Sequence, residues 1–271
     1  MKRWIRNFIE FLFSKIGLRL VNKHYWINVI SELDKYKLNE DLIGKDKIIA
    51  SFKNSNNQLL EKYRKMSTSQ ILQDIFVLDY FNYKENGFFV EFGATNGLSL
   101  SNTFILEKHF NWNGILAEPG KNWHKDLTKN RNCIVETDCI WSSTGESLPF
   151  LETKSAELST ISNFKNLDLH ANVRIKKRNY NVRSISLLDL LARHQAPYRI
   201  DYLSIDTEGS EYEILKNFEF SNYSIGIITC EHNFGSNRDK IKQLLESNGF
   251  VQVHKELTQF DDWYVNSQWE K

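Results

Sequence analysis

The sequence predicts an α/β fold, a mostly parallel sheet with helices on both faces, and three observations carry that expectation. From Gly87 onward, apolar runs of strand length recur, helix-length segments with one charged side separate them, and several runs end in a carboxylate. Strands buried on both faces read as such continuous runs. Their alternation with helices argues parallel crossovers.

Residues 22–85 read as mostly helical, with the polar patch SFKNSNNQ at 51–58 forming a loop. GFFVEF (87–92) is the first strand, and the turn Gly93–Gly97 leads into a helix within LSLSNTFILEKHF. GILAE (114–118) and CIVET (133–137) are the second and third strands, with a helix in KNWHKDLTKN between them. IDYLSID (200–206) precedes the helix SEYEILKNF, and SIGIITCEH (224–232) precedes the helix in NRDKIKQLLESNG. FVQVHK and FDDWYVN follow with no helix between them, which predicts a closing antiparallel hairpin. Three segments result: an N-terminal helical extension at 1–66, an α/β domain at 67–271, and within it a lid at 152–180.

With 41% apolar and 13% aromatic residues, the 271-residue chain can bury a substantial core. Lys and Arg number 35 against 34 Asp and Glu, so a net charge of +1 offers no global attraction to nucleic acid. Cys133, Cys139 and Cys230 form no CxxC pair, which argues against zinc and for a reducing, cytoplasmic setting. At 3–21, Trp4, Ile5, Phe8, Ile9, Leu12, Phe13, Ile16 and Leu20 recur at helical spacing among basic residues. The segment is neither a membrane span nor a signal peptide. Two readings stay open: a helix lying on an anionic membrane surface, at the inner face, or one packed on the domain or on a partner subunit of an oligomer.

Chemistry is sought at the strand ends, where open sheets of this type bind ligands. Gly93 and Gly97 permit a tight turn and close approach to the backbone after Glu91. No GxGxxG and no GxxxxGK[ST] is present, so hydride transfer and P-loop chemistry lose support. Glu118 stands about 20 to 30 residues after the glycine turn, where a carboxylate accepts from both ribose hydroxyls. Asp138, followed by Cys139, Ile140 and Trp141, sets an acceptor for an exocyclic amine beside apolar surface. Asp206 and Glu208 share one turn and repel unless a cation, donor or proton relieves them. Glu231 and His232 end the fifth strand, and the imidazole is the best proton acceptor in the chain, with a hydrogen-bonded structural role as its alternative.

The linked segments SQILQDIFVL, FVEFGATNG, SNT, WNGILAEP and IDYLSIDTEGSEYEIL resemble the FkbM-type methyltransferases, a branch of the S-adenosylmethionine-dependent class I enzymes. The resemblance covers about residues 69–266 and implies a Rossmann-like, seven-stranded sheet. It implies that Glu91, Gly93, Ala94 and Gly97 line the methionine and ribose side of the cofactor, and that Glu118 holds the ribose. Asp138 with Cys139 would face adenine, and Asp206 would stand near the reacting centre. Gln70 and Asp74 would lie on a covering helix, and Ser101, Asn102 and Thr103 would touch the methionine carboxylate or cap the next helix. Thr95 and Asn96 depart from the family's usual turn, and the first 60 residues match no family part.

The implied activity is O-methylation of a sugar hydroxyl in a glycan, polysaccharide precursor or related metabolite. A methyltransferase-like binding or partner subunit without chemistry, or a non-sugar acceptor, are the alternatives. His232 is the lead base, with Asp206 and Glu231 beside it. Asp206, Glu208, Glu231 and His232 form a candidate site for Mg2+ or another divalent cation, since oxygen ligands suit it. In the lid, Lys165, Arg174, Lys176, Lys177, Arg178 and Tyr180 form a basic run that suits a phosphate- or lipid-linked acceptor or a plain solvated face. No NPPY tetrapeptide follows the fourth strand, which argues against a nucleic-acid methyltransferase.

Overall fold

The structure, a computed structural model, describes residues 43–52, 58–153, 159–162 and 176–269. The helix expected at 3–21 lies outside the described residues, as do Lys165, Arg174 and the side chains of Lys176 and Lys177. The chain divides into two compact units between Lys47 and Ile48, and every feature below belongs to the second.

After helical residues 48–50, that unit holds α1 (Gln58–Arg64) and α2 (Gln73–Tyr80). Then come β1 (Phe88–Phe92), α3 (Phe104–Phe110), β2 (Asn113–Ala117), α4 (His124–Asn130) and β3 (Ile134–Glu136). An insert follows, made of β4 (Cys139–Trp141), β5 (Ser147–Thr153), β6 (Thr160–Ile161) and β7 (Lys176–Ser186). The second half runs α5 (Leu187–Arg193), β8 (Arg199–Ile205), α6 (Glu211–Leu215), β9 (Ser224–Glu231) and α7 (Arg238–Ser247). The hairpin β10 (Phe250–Val253) and β11 (Asp261–Asn266) closes it.

All seven runs expected as strands enter one seven-stranded sheet, ordered β10-β11-β9-β8-β1-β2-β3. Strands β3, β2, β1, β8 and β9 are parallel, whereas β11 runs antiparallel to both β9 and β10. From β1 the order proceeds one way to β2 and β3, and from β8 the other way to β9. The switch point between β1 and β8 is where a ligand crevice opens.

Side-chain alternation along β1 divides the core. Phe89 packs with Leu60, Ile75, Leu78, Ile105 and Leu106 from α1, α2 and α3 on one face. Val90 and Phe92 pack with Leu190, Leu191, Ile214, Leu215, Ile241 and Leu245 from α5, α6 and α7 on the other. Leu60 and Tyr63, which precede the expected start of the α/β domain at residue 67, are buried in the first of these cores. Phe76 of α2 stacks on Trp263 of β11 at 4.7 Å, fastening the helical approach to the last strand.

The insert forms a second sheet, β4-β7-β5-β6, where the sequence reading has only a lid. Its core is small, with Cys139, Leu148, Phe150, Ile161 and Val182. Strand β7, KKRNYNVRSIS, contains no apolar run, which is why periodicity does not announce it. Arg178 of its basic run donates from Nε (2.9 Å) and Nη2 (2.8 Å) to the buried Glu152, so that guanidinium is already paired. Among the described residues, no helix is long and apolar enough to cross a membrane.

Candidate active site

A cleft of about 320 Å³ opens beyond the carboxyl ends of β1, β2, β8 and β9. The turn after β1 shapes one half of it. Gly93 (φ 71°), Thr95 (φ 46°) and Gly97 (φ 74°) are all left-handed, and a Cβ at Gly93 would stand 2.0 Å from the Asp206 carbonyl oxygen. Only glycine allows β1 and β8 to meet so closely there.

Thr95 uses its backbone conformation to donate its amide to Glu118 Oε2 at 2.9 Å, while Gly120 donates to Oε1 at 2.6 Å. Burial pushes the Glu118 carboxyl up to about 7, with Asp206 adding to the rise and the two amides opposing it. Ala117, Pro119, Cys139 and Ile140 line the same half as an apolar slot.

Asp206, Glu208 and Glu231 line the other half, each offering an oxygen within 4.8 Å of the others. Burial lifts the Glu231 carboxyl well above the usual carboxylate range, and Asp206 and Glu208 lift it further. Thr160 Oγ1 donates to the Glu208 carbonyl at 3.0 Å, which brings Phe150 and Ile161 of the second sheet into the cleft wall. Glu211 shapes the turn after β8 by accepting from the amides of Thr207 (3.0 Å) and Gly209 (2.9 Å). Among the described residues that line the cleft, none is Lys, Arg or His.

Over residues 91–260, more than half of its length, the sequence matches the methyltransferase FkbM domain. The chain belongs to the FkbM methyltransferase family. Among solved structures it is similar to methyltransferase FkbM from Methylobacillus flagellatus KT, with 10% identity and a TM-score of 0.44 over 85% of this chain. The match spans 60% of the length of that protein. A second similar structure is a precorrin-6y C5,15-methyltransferase from Geobacter metallireducens GS-15, with 14% identity, a TM-score of 0.39, and 77% and 92% of the two chains covered. No curated protein matches the sequence.

Of the residues expected at the site, the FkbM fold brings Gln70, Gly93, Glu118, Cys139, Asp206, Glu208 and Glu231 to the cleft. Others it uses differently. Glu91 does not line the cleft: it is buried behind the turn and accepts from Ser101 Oγ (3.0 Å), the Asn102 amide (2.8 Å) and Thr103 Oγ1. Its counterion is Arg131, whose fully buried guanidinium stands 3.7 Å away. Arg131 also donates to Glu107 (2.6 Å), the Gly97 carbonyl (3.2 Å), Ser101 Oγ (3.1 Å) and Thr103 Oγ1 (2.8 Å). Ser101, Thr103, Ala94 and Gly97 therefore support the turn from behind rather than face the cleft. Arg131 was missed, because nothing local in KNRNC distinguishes it from a solvated arginine.

Asn102 donates to Ser204 Oγ at 2.9 Å and lines a small space that also touches Asp206, Glu231 and Asp261. Asp74 is fully buried at the start of α2 and accepts from Ser67 Oγ and Ser69 Oγ, both at 2.7 Å. Asp138, expected at the adenine amine, is instead held by Arg193 at 3.0 Å and does not line the cleft.

His232 is the largest departure. Its Nδ1 accepts the Phe234 amide at 3.0 Å, and its Nε2 lies 3.6 Å from Asp262, which Arg238 clamps with two bonds. Burial lowers the imidazole's pKa, Asp262 opposing. The ring is not part of the cleft lining, and it stands outside the carboxylate cluster it was expected to join. Asn233, Phe234 and Phe260 take its place on the wall. The run EHNFG does carry a turn signal, Asn and Gly around a single aromatic, but not the direction the aromatic takes.

Proposed function

We propose that this FkbM domain binds S-adenosylmethionine in the cleft and transfers its methyl group to a hydroxyl of a sugar or glycan, with Glu231 as the base. The observation that carries the cofactor reading is the cleft's charge: carboxylates with no described cation among them. Crowding and burial push Glu118 and Glu231 toward their neutral forms, and a sulfonium cation beside them relieves that crowding. Glu118, held by two amides, offers its remaining lone pairs to a ribose diol, and the slot of Pro119, Cys139 and Ile140 suits a flat base.

When bound, S-adenosylmethionine supplies an electrophilic methyl group on sulfur. The protein's part would be to bind the acceptor beside that methyl group and orient its hydroxyl toward Glu231. Glu231 would take the hydroxyl proton, so that the methylated oxygen leaves uncharged. A carboxylate whose proton affinity burial has raised is suited to take that proton. The test is a screen of sugars, nucleotide sugars and lipid-linked glycans with methyl-labelled S-adenosylmethionine. Glu231→Gln is expected to lower turnover about 100-fold or more while leaving cofactor affinity, read by calorimetry, within about threefold of the parent. Full turnover in that variant would remove Glu231 as the base.

The convergence of Asp206, Glu208 and Glu231 favours a second arrangement, in which they gather a divalent cation that binds two adjacent acceptor hydroxyls. Turnover would then fall on exhaustive chelation and return with Mg2+. Unchanged turnover leaves the proton-transfer role standing alone.

A further inference from the structure

Beyond Glu231 the chain makes a turn of unusual backbone. Asn233 (φ 42°) and Phe234 (φ 56°) are consecutive left-handed residues, and neither is glycine. Such strain persists only where surrounding bonds dictate it, and it clusters at ligand sites. Here the bonds are visible. The amides of His232 and Asn233 both donate to the Phe260 carbonyl, at 2.9 and 3.2 Å, and the Gly235 amide returns to the His232 carbonyl at 2.6 Å. The Phe234 amide donates to His232 Nδ1, and the imidazole stands edge-on to the Phe234 ring with centroids 5.3 Å apart. Because Nδ1 accepts, the ring proton sits on Nε2, facing the Asp262 carboxylate that Arg238 holds. The histidine thus braces the turn.

What the brace presents is two side chains on the cleft wall beside Glu231. Phe234 is 59% exposed, although it sits against a buried histidine. Asn233 is 7% exposed, and its Nδ2 has no hydrogen-bond partner. A buried N–H without a partner is costly, and a ligand oxygen relieves it. An apolar ring face, a donor and a carboxylate acceptor therefore stand within four residues of chain. Their complement is a saturated ring with C–H groups on one face and adjacent hydroxyls at its edge.

We infer that the turn Glu231–Phe234 reads the acceptor and selects a neutral cyclic polyol of pyranose type: its apolar face lies on Phe234, one hydroxyl accepts from Asn233 Nδ2, and the neighbouring hydroxyl is turned to Glu231. His232 is a positioning residue that acts through Phe234. This rests on the cofactor reading above and adds to it which residues choose the acceptor.

The test uses the full chain saturated with S-adenosylhomocysteine and titrated with a panel of methyl pyranosides and, separately, phenols, with binding read by saturation-transfer NMR. At least one methyl pyranoside should bind. Asn233→Gly, which keeps the left-handed backbone but removes the amide, and Phe234→Leu, which keeps apolar bulk but removes the ring, should each weaken it about tenfold or more. Affinity for S-adenosylhomocysteine should stay unchanged in both. His232→Ala should weaken pyranoside binding as Phe234→Leu does, and the two effects should not add in the double variant. Unaltered pyranoside affinity in Asn233→Gly and Phe234→Leu, or a loaded chain that binds phenols and no pyranoside, would overturn the inference alone. If the parent chain fails to bind S-adenosylhomocysteine, the cofactor reading falls and this one with it.

Discussion

Glu118→Ala is expected to weaken S-adenosylmethionine binding about 100-fold or more in calorimetry. In the proposed complex the side chain would offer a charged acceptor to the ribose hydroxyls, and in the structure it anchors the Thr95 and Gly120 amides that shape the turn. A hydrogen bond to a charged group contributes about 1.5–3 kcal/mol, so losing two such bonds gives the expected factor. The carboxyl's elevation to about 7 adds a pH dependence with a definite sign. Below that pH it is protonated and has lost acceptor capacity, so parent affinity should fall between about pH 8 and pH 6, and Glu118→Gln should flatten that slope. Affinity within about threefold of the parent in Glu118→Ala would remove this residue from the cofactor site.

Arg131→Met should cost about 3–5 kcal/mol of folding stability, read by urea denaturation with an unchanged slope. Its guanidinium is fully buried and serves both Glu91 and Glu107, so removing it leaves the buried Glu91 without a counterion and Glu107 with only Lys108 and the Asn132 amide. Burial alone would raise Glu107. Arg131, with Lys108 and the Asn132 amide, reverses that and holds the carboxyl down at about 2. A carboxyl depressed in the fold stabilises above its unfolded pKa, near 4.3, and loses that contribution as pH falls toward 2. The parent should therefore lose stability through that window, and the variant should lose less. A midpoint equal to the parent's would show that the cluster is not what holds the turn.

The sheet was legible because its strands are apolar on both faces and of strand length, and because GATNG and DTEGSE mark where two of them turn. The insert was not, since β7 alternates charged and polar residues with few apolar ones and its small core draws on distant β4 and β5. At the site, a carboxylate at a strand end looks the same in sequence whether it faces a cleft, as Glu118 does, or a buried arginine, as Glu91 does. Side chains alternate along a strand, so the position of an acid relative to the last turn decides its face, and that register is set by the fold. Asp138 and His232 were misplaced for a related reason. Asp138 is held by Arg193, far along the chain, and the His232 ring is set by the Phe234 amide and by the Asp262–Arg238 pair on its other side.

Strand β11 lies between β9 and β10 although it is made after both. While the chain is being synthesised, β9 therefore waits with an open, apolar edge and β10 has no neighbour in the sheet until Asp261–Asn266 has left the ribosome. The Phe260 carbonyl, which holds the His232 and Asn233 amides, arrives in the same step. Cleft and sheet are thus finished together and late, so the nascent chain passes through an interval in which an aggregation-prone edge is exposed and no acceptor turn yet exists.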